Sequence, residues 1–105
     1  MENKKFEELA DDFFKKMRNL IISKGKDYTQ GDIDRLKNFK QIGNDLKLTP
    51  QHIWYVYTKK HWEAILSYVL GHLESEPIES RCLDLAVYAF LLYALDQDKE
   101  KNLPF

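Results

Sequence analysis

Apolar side chains recur at steps of three and four along residues 4–23, where Phe6, Leu9, Ala10, Phe13, Phe14, Met17, Leu20 and Ile21 fall on one stripe. That period predicts an amphipathic helix. Glu7, Glu8, Asp11 and Asp12 come early and Lys15, Lys16 and Arg18 follow, the order that suits the helix dipole. Gly25 is the expected stop. From Lys24 to Asp32 there is no period and there are two glycines, so this stretch predicts an interior loop. A shorter helix is expected over Ile33–Leu46, with Leu36, Phe39, Ile42 and Leu46 inward and Asp32 as its N-cap. Thr49-Pro50 pairs a capping hydroxyl with a proline at the first helical position and predicts a third helix to about Gly71. Ile53, Tyr57, Ala64, Ile65 and Tyr68 keep its helical spacing, although Thr58-Lys59-Lys60-His61 interrupts the apolar stripe. Glu76-Pro77 predicts a fourth helix to about Asp96, apolar all round and therefore expected at the centre of the fold.

Composition narrows this to one domain over residues 1–105, with 96–105 a fraying tail. At 44% apolar and 31% charged residues, a chain of 105 residues can bury a core without staples. Only 4 Gly and 3 Pro leave room for few turns. The expected fold is all-α, a small four-helix bundle. A net charge of −1 and the lack of a basic stripe disfavour nucleic acid as a partner. The uncharged run Leu85–Leu95 is 11 residues, short of the roughly 20 that span a bilayer, so no membrane partner is expected. The N-terminal stretch reads as no secretory leader, and the expectation is a cytoplasmic protein. A lone cysteine, Cys82, rules out an internal disulfide and reads as a small buried hydrophobe. Six Phe, six Tyr and two Trp exceed what so small a bundle hides, which predicts a homo-oligomer, most simply a dimer.

Candidate chemistry lies in three places. Asp84 is the one charge between Leu83 and Leu95, with Arg81 three residues before it and Tyr88 four after, all on one helix face. An Arg81–Asp84 pair satisfies the carboxylate with no function; a cation or a polar ligand group satisfies it with one. Lys60, His61 and Glu63 interrupt the stripe of the third helix. Glu63, Glu79 and Asp84 are the oxygen donors that a hard cation such as Mg2+ would want, although their spacing is not that of a dedicated cage. The third place is Lys24-Gly25-Lys26-Asp27-Tyr28, where lysines can meet phosphate and Tyr28 can stack on a base; a solvated turn is the plainer alternative. There is no Walker pattern, no Gly-x-Gly-x-x-Gly and no nucleophilic triad.

These residues stand in a familiar order. Lys24-Gly25-Lys26-Asp27-Tyr28, then Asn38-Phe39, Lys60-His61 with Ala64-Ile65, Glu74 to Arg81, and Asp84-Leu85-Ala86-Val87-Tyr88 resemble the signature of the phage-type nucleotide-modification-associated domain family. That family is related to the all-α MazG-like nucleoside triphosphate pyrophosphatases. The resemblance covers about residues 20–95 and implies a helical bundle, often oligomeric, linked to nucleotide metabolism in phage or prophage. MazG-like enzymes carry Glu-x-x-Glu on one helix and Glu-x-x-Asp on another, where this chain has Lys60-x-x-Glu63 and Arg81-x-x-Asp84.

Two readings follow. In the first, a phage or prophage protein binds a nucleotide or related phosphorylated molecule, with or without Mg-dependent hydrolysis between the α and β phosphates. Lys24, Lys26 and Lys60 then meet phosphate, Asp84 and Glu63 hold a cation or sugar, and Tyr28 contacts the base; Asp27, Asn38, His61, Arg81 and Tyr88 complete the ligand set. In the second, the chain is a helical interaction module that binds a host or phage protein without catalysis.

Overall fold

A computed structural model describes the backbone of residues 1–29 and 34–98, with side chains for 1–23 and 34–98. Among these the chain is all helix: α1 (Asn3–Thr29), α2 (Lys37–Leu46), α3 (Pro50–Val69) and α4 (Ile78–Gln97). No strand occurs among the described residues. None of these helices is long and apolar enough to cross a membrane.

The third helix starts as its sequence requires. The Thr49 hydroxyl accepts from the His52 amide at 3.3 Å, and His52 Nδ1 accepts from the Thr49 amide at 3.2 Å. This reciprocal cap uses two amides that the first turn cannot pair by itself. Proline at the first position has no amide to lose. At the other end, Gly71 adopts φ 80° and the His72 amide reaches back to the Ser67 carbonyl at 3.1 Å, closing α3 in a Schellman turn. The helix is continuous through Thr58–His61.

Between α2 and α3 the same device is built with a harder residue. Lys47 sits at φ 59°, and the Leu48 amide donates to Gly43 O at 2.8 Å. A Cβ on Gly43 would lie 2.8 Å from the Leu48 carbonyl oxygen, so only glycine lets α3 fold back this closely. The chain turns away at this point and leaves Leu46 exposed, contrary to its expected inward position.

Other boundaries also moved. The first helix runs through Gly25 to Thr29, so the expected loop over Lys24–Asp32 is helical up to that residue. One glycine inside a helix costs only about 1 kcal/mol, which the rest of a long helix can absorb. The second helix begins at Lys37 rather than Ile33. Its entry is held by Asp34, whose Oδ1 accepts the Leu36 amide at 3.0 Å. The proposed cap Asp32 and the tail residues 99–105 lie outside the described residues. Pro77 is the N-cap of α4 rather than its first helical residue.

The core is small. Leu36, Phe39, Ile53 and Leu95 are buried together, with Ile42, Trp54, Tyr88, Leu91 and Ala94 packed on them. It therefore sits where α2, α3 and the second half of α4 meet. Lys40 ties this corner shut through ion pairs to Asp34 at 2.8 Å and to Asp98 at 2.5 Å. Burial pulls the Lys40 ammonium down, but the hydrogen bonds to both carboxylates outweigh it and hold the group above its usual value of 10.5. A raised folded-state pKa means stability that is fully present below the unfolded value and lost as pH rises through the folded one. We expect the stability gap between the parent chain and Lys40→Met to be constant between about pH 6 and pH 10, where both carboxylates are charged, and to shrink above it. Urea midpoints across that range check this; a gap that widens at high pH would contradict the sign.

The periphery is loosely covered. Phe6, Leu9 and Phe14 of the α1 stripe are exposed. Tyr55, Trp62, Leu66 and Val69 form a second exposed stripe on α3, and Tyr68 is exposed as well. On α4, Phe90, Tyr93 and Cys82 are exposed, so this helix is covered on fewer sides than its sequence suggests, and the cysteine is not buried. The radius of gyration, 16.0 Å, exceeds the roughly 13 Å of a compact chain of this length.

Candidate functional site

A polar seam runs down the packed interface of α3 and α4. At its centre His61 Nδ1 lies 3.8 Å from Asp84 Oδ2, and the His61 ring packs on the Tyr88 ring with centroids 4.6 Å apart. His61, Asp84 and Tyr88 are all half-buried. The i, i+4 spacing of Asp84 and Tyr88 puts both on the α4 face that meets His61. Trp54 holds the lower end, donating from Nε1 to the Tyr88 carbonyl at 2.7 Å. The Thr58 hydroxyl is buried in α3 one turn before His61 with no hydrogen-bond partner among the described residues.

At the upper end Arg81 faces Glu74 at 3.8 Å and Glu76 at 3.4 Å, across the α3–α4 connection. The ion pairs of Arg81 thus run to the α3–α4 connection, contacts that local spacing could not show. Those distances are long for direct hydrogen bonds. Arg81 Nε and Glu74 Oε1 are both buried without a hydrogen-bond partner among the described residues. Unsatisfied buried groups of this kind are costly, and they are places where a water or a ligand is accommodated.

Asp84 also lines an open cleft of about 480 Å³ between α1 and α4. Lys16, Asn19, Ser23 and Ser80 supply hydrogen-bond donors to its walls, and Leu20 and Leu83 supply apolar surface. Lys16 is held by Glu79 and Asp12 at 2.5 and 2.9 Å, and those hydrogen bonds raise its pKa. The cleft volume falls within the range of small-molecule sites. An ammonium, an amide and two hydroxyls beside one carboxylate can meet the phosphate oxygens and the sugar hydroxyls of one ligand.

The expected set is brought together only in part. His61, Asp84 and Tyr88 converge, with Arg81 one turn away. Lys60 and Asn38 are exposed on α3 and α2, away from the seam. Lys24, Lys26, Asp27 and Tyr28 occupy the end of α1, directly after Ser23, and their side chains lie outside the described residues. The three proposed metal ligands are separated: Glu63 lies 4.0 Å from Lys59, Glu79 pairs with Lys16, and Asp84 faces His61. Among the described residues no three His, Cys, Asp or Glu side chains group as metal ligands. Among the described residues Asp84 is the one carboxylate on the cleft, and those residues do not fit a protein-held magnesium, since a hard cation needs several oxygens.

Lys16, Asn19, Ser23, Ser80, Trp54, Thr58 and Glu74 were not foreseen. Thr58 and Trp54 sit one and two turns before His61, a signal that could have been used. The cleft donors carry no local signature, since only the packing of α1 on α4 makes them neighbours. No protein-family model, curated protein or solved structure matches the chain.

Proposed function

We propose that this chain is a small cytoplasmic phage or prophage protein that binds a nucleotide or related phosphorylated molecule in the cleft between α1 and α4, without hydrolysing it. The observation that carries the reading is one carboxylate, Asp84, placed at once on the cleft and 3.8 Å from His61, whose ring packs on Tyr88. Asp84 accepts sugar hydroxyls, and Lys16 and the serines face phosphate. The resemblance to nucleotide-associated phage proteins supports the ligand class. Hydrolysis is left out because Arg81 occupies the position where the related pyrophosphatases need a carboxylate.

The test is a thermal-shift and calorimetry panel of nucleosides and their mono-, di- and triphosphates, with and without magnesium. A phosphorylated ligand at one hundred times its Kd should stabilise the fold by about 2.7 kcal/mol, with nucleosides far weaker. A blank panel at millimolar concentration would overturn the reading. It would favour the other one, a helical interaction module, for which the exposed stripes on α1 and α3 are the specific observation. In either case the exposed apolar surface supports a homo-oligomer.

A further inference from the structure

The first half of α1 stands clear of the rest of the fold. A helix of 27 residues is roughly 40 Å long. Its side-chain ties to α4 begin with Lys16, which reaches Glu79 at the second residue of that helix. Upstream, every residue from Met1 to Leu9 is exposed, and so are Asp11, Asp12 and Phe14. Yet this arm carries an apolar stripe of its own in Phe6, Leu9 and Phe14. The Phe13 and Phe14 rings sit edge to face, 6.3 Å apart, at its base.

The surface area says how much is uncovered. The chain exposes 8153 Å², whereas a compact chain of 12.5 kDa exposes about 6,200 Å². A stable pair of proteins removes roughly 800 Å² from each partner, and on the arm Phe6, Leu9 and Phe14, 62%, 54% and 59% exposed, are apolar surface open to such a contact. The charge order says what covers it. Glu7, Glu8, Asp11 and Asp12 occupy the arm, and Lys15, Lys16 and Arg18 follow it. Two such helices laid parallel set acid against acid. Laid antiparallel about a two-fold axis near Phe13, they set Glu7 of each copy across from Arg18 of the other. Arg18 makes no ion pair among the described residues.

We infer that the arm of α1 is a self-association surface, and that its occupant is the arm of a second copy, antiparallel across a two-fold axis. Apolar contacts of Phe6, Leu9 and Phe14 hold the pair, and the Glu7–Arg18 contacts fix its direction. This inference does not depend on the ligand reading.

Multi-angle light scattering and sedimentation equilibrium on the full chain provide the test. The parent should run at about 25 kDa, twice the chain mass. Phe6→Glu, at a position that is already exposed, should return the monomer with helicity unchanged by circular dichroism. Glu7→Arg and Arg18→Glu should each raise the dimer dissociation constant at least tenfold, and the double variant should recover most of that loss. A parent that is monomeric at micromolar concentration overturns the inference. So does a dimer indifferent to Phe6→Glu, which would move the interface to α3. A charge-swapped double variant no better than either single one overturns the antiparallel arrangement.

Discussion

Leu95→Ala should lower the unfolding free energy by about 3–4 kcal/mol, one of the largest losses available to a single substitution in this chain. Leu95 is 0% exposed, and it closes the cluster with Leu36, Phe39 and Ile53 that joins α2, α3 and α4. Removing its isobutyl group loses the transfer free energy of the buried carbons and leaves a void. The rigid helix backbones around it can collapse only partly into that space. Small domains have about 5–15 kcal/mol in total, so the variant should sit near the edge of folding. Urea denaturation followed by circular dichroism, at one fixed protein concentration, measures it. Leu73→Ala is the control, since Leu73 is fully exposed and should change little. A loss for Leu95→Ala below about 1 kcal/mol would mean that the core lies elsewhere.

Asp84→Asn should weaken nucleotide binding by at least about tenfold while costing less than about 1 kcal/mol of stability. The small structural cost follows from geometry. Asparagine keeps the shape of the side chain and one acceptor oxygen, and Asp84 keeps 23% of its side chain in solvent. The larger functional cost follows because a hydrogen bond to a charged acceptor is stronger than one to a neutral amide. Parallel calorimetry and denaturation on the variant separate the two. A variant that is grossly unstable yet binds normally would make Asp84 structural and remove it from the site.

Local chemistry was the legible part of this fold. Thr49-Pro50 and Gly71 bound α3 because capping depends on residues a few positions apart, all visible in the sequence. The α1 stripe was legible as a face but not as a covered one. Periodicity shows which side of a helix is apolar, and only tertiary packing shows whether anything lies against it; Phe6 and Leu9 lie on the stripe and the core does not reach them. Leu46 failed for a related reason: it keeps helical spacing from Ile42, but the turn at Lys47 leaves it no neighbour. In the site, His61 and Asp84 were each conspicuous as charges interrupting apolar runs. Their meeting was not readable, because the connection over residues 70–77 sets the register of α3 against α4. That same connection brings Glu74 and Glu76 to Arg81. Cys82 shows the limit of composition, since a residue type that is usually buried faces solvent here.

The central claim is that a phosphorylated ligand enters the cleft between α1 and α4 and reaches Asp84. Amide chemical-shift mapping by NMR during titration with the tightest nucleotide of the panel tests it most directly. We predict saturable shifts at Asn19, Ser23, Ser80 and Asp84, extending through the seam to His61 and Tyr88, and absent from the exposed stripe of Tyr55, Trp62 and Val69. Shifts confined to that stripe, or none at saturating ligand, would contradict it.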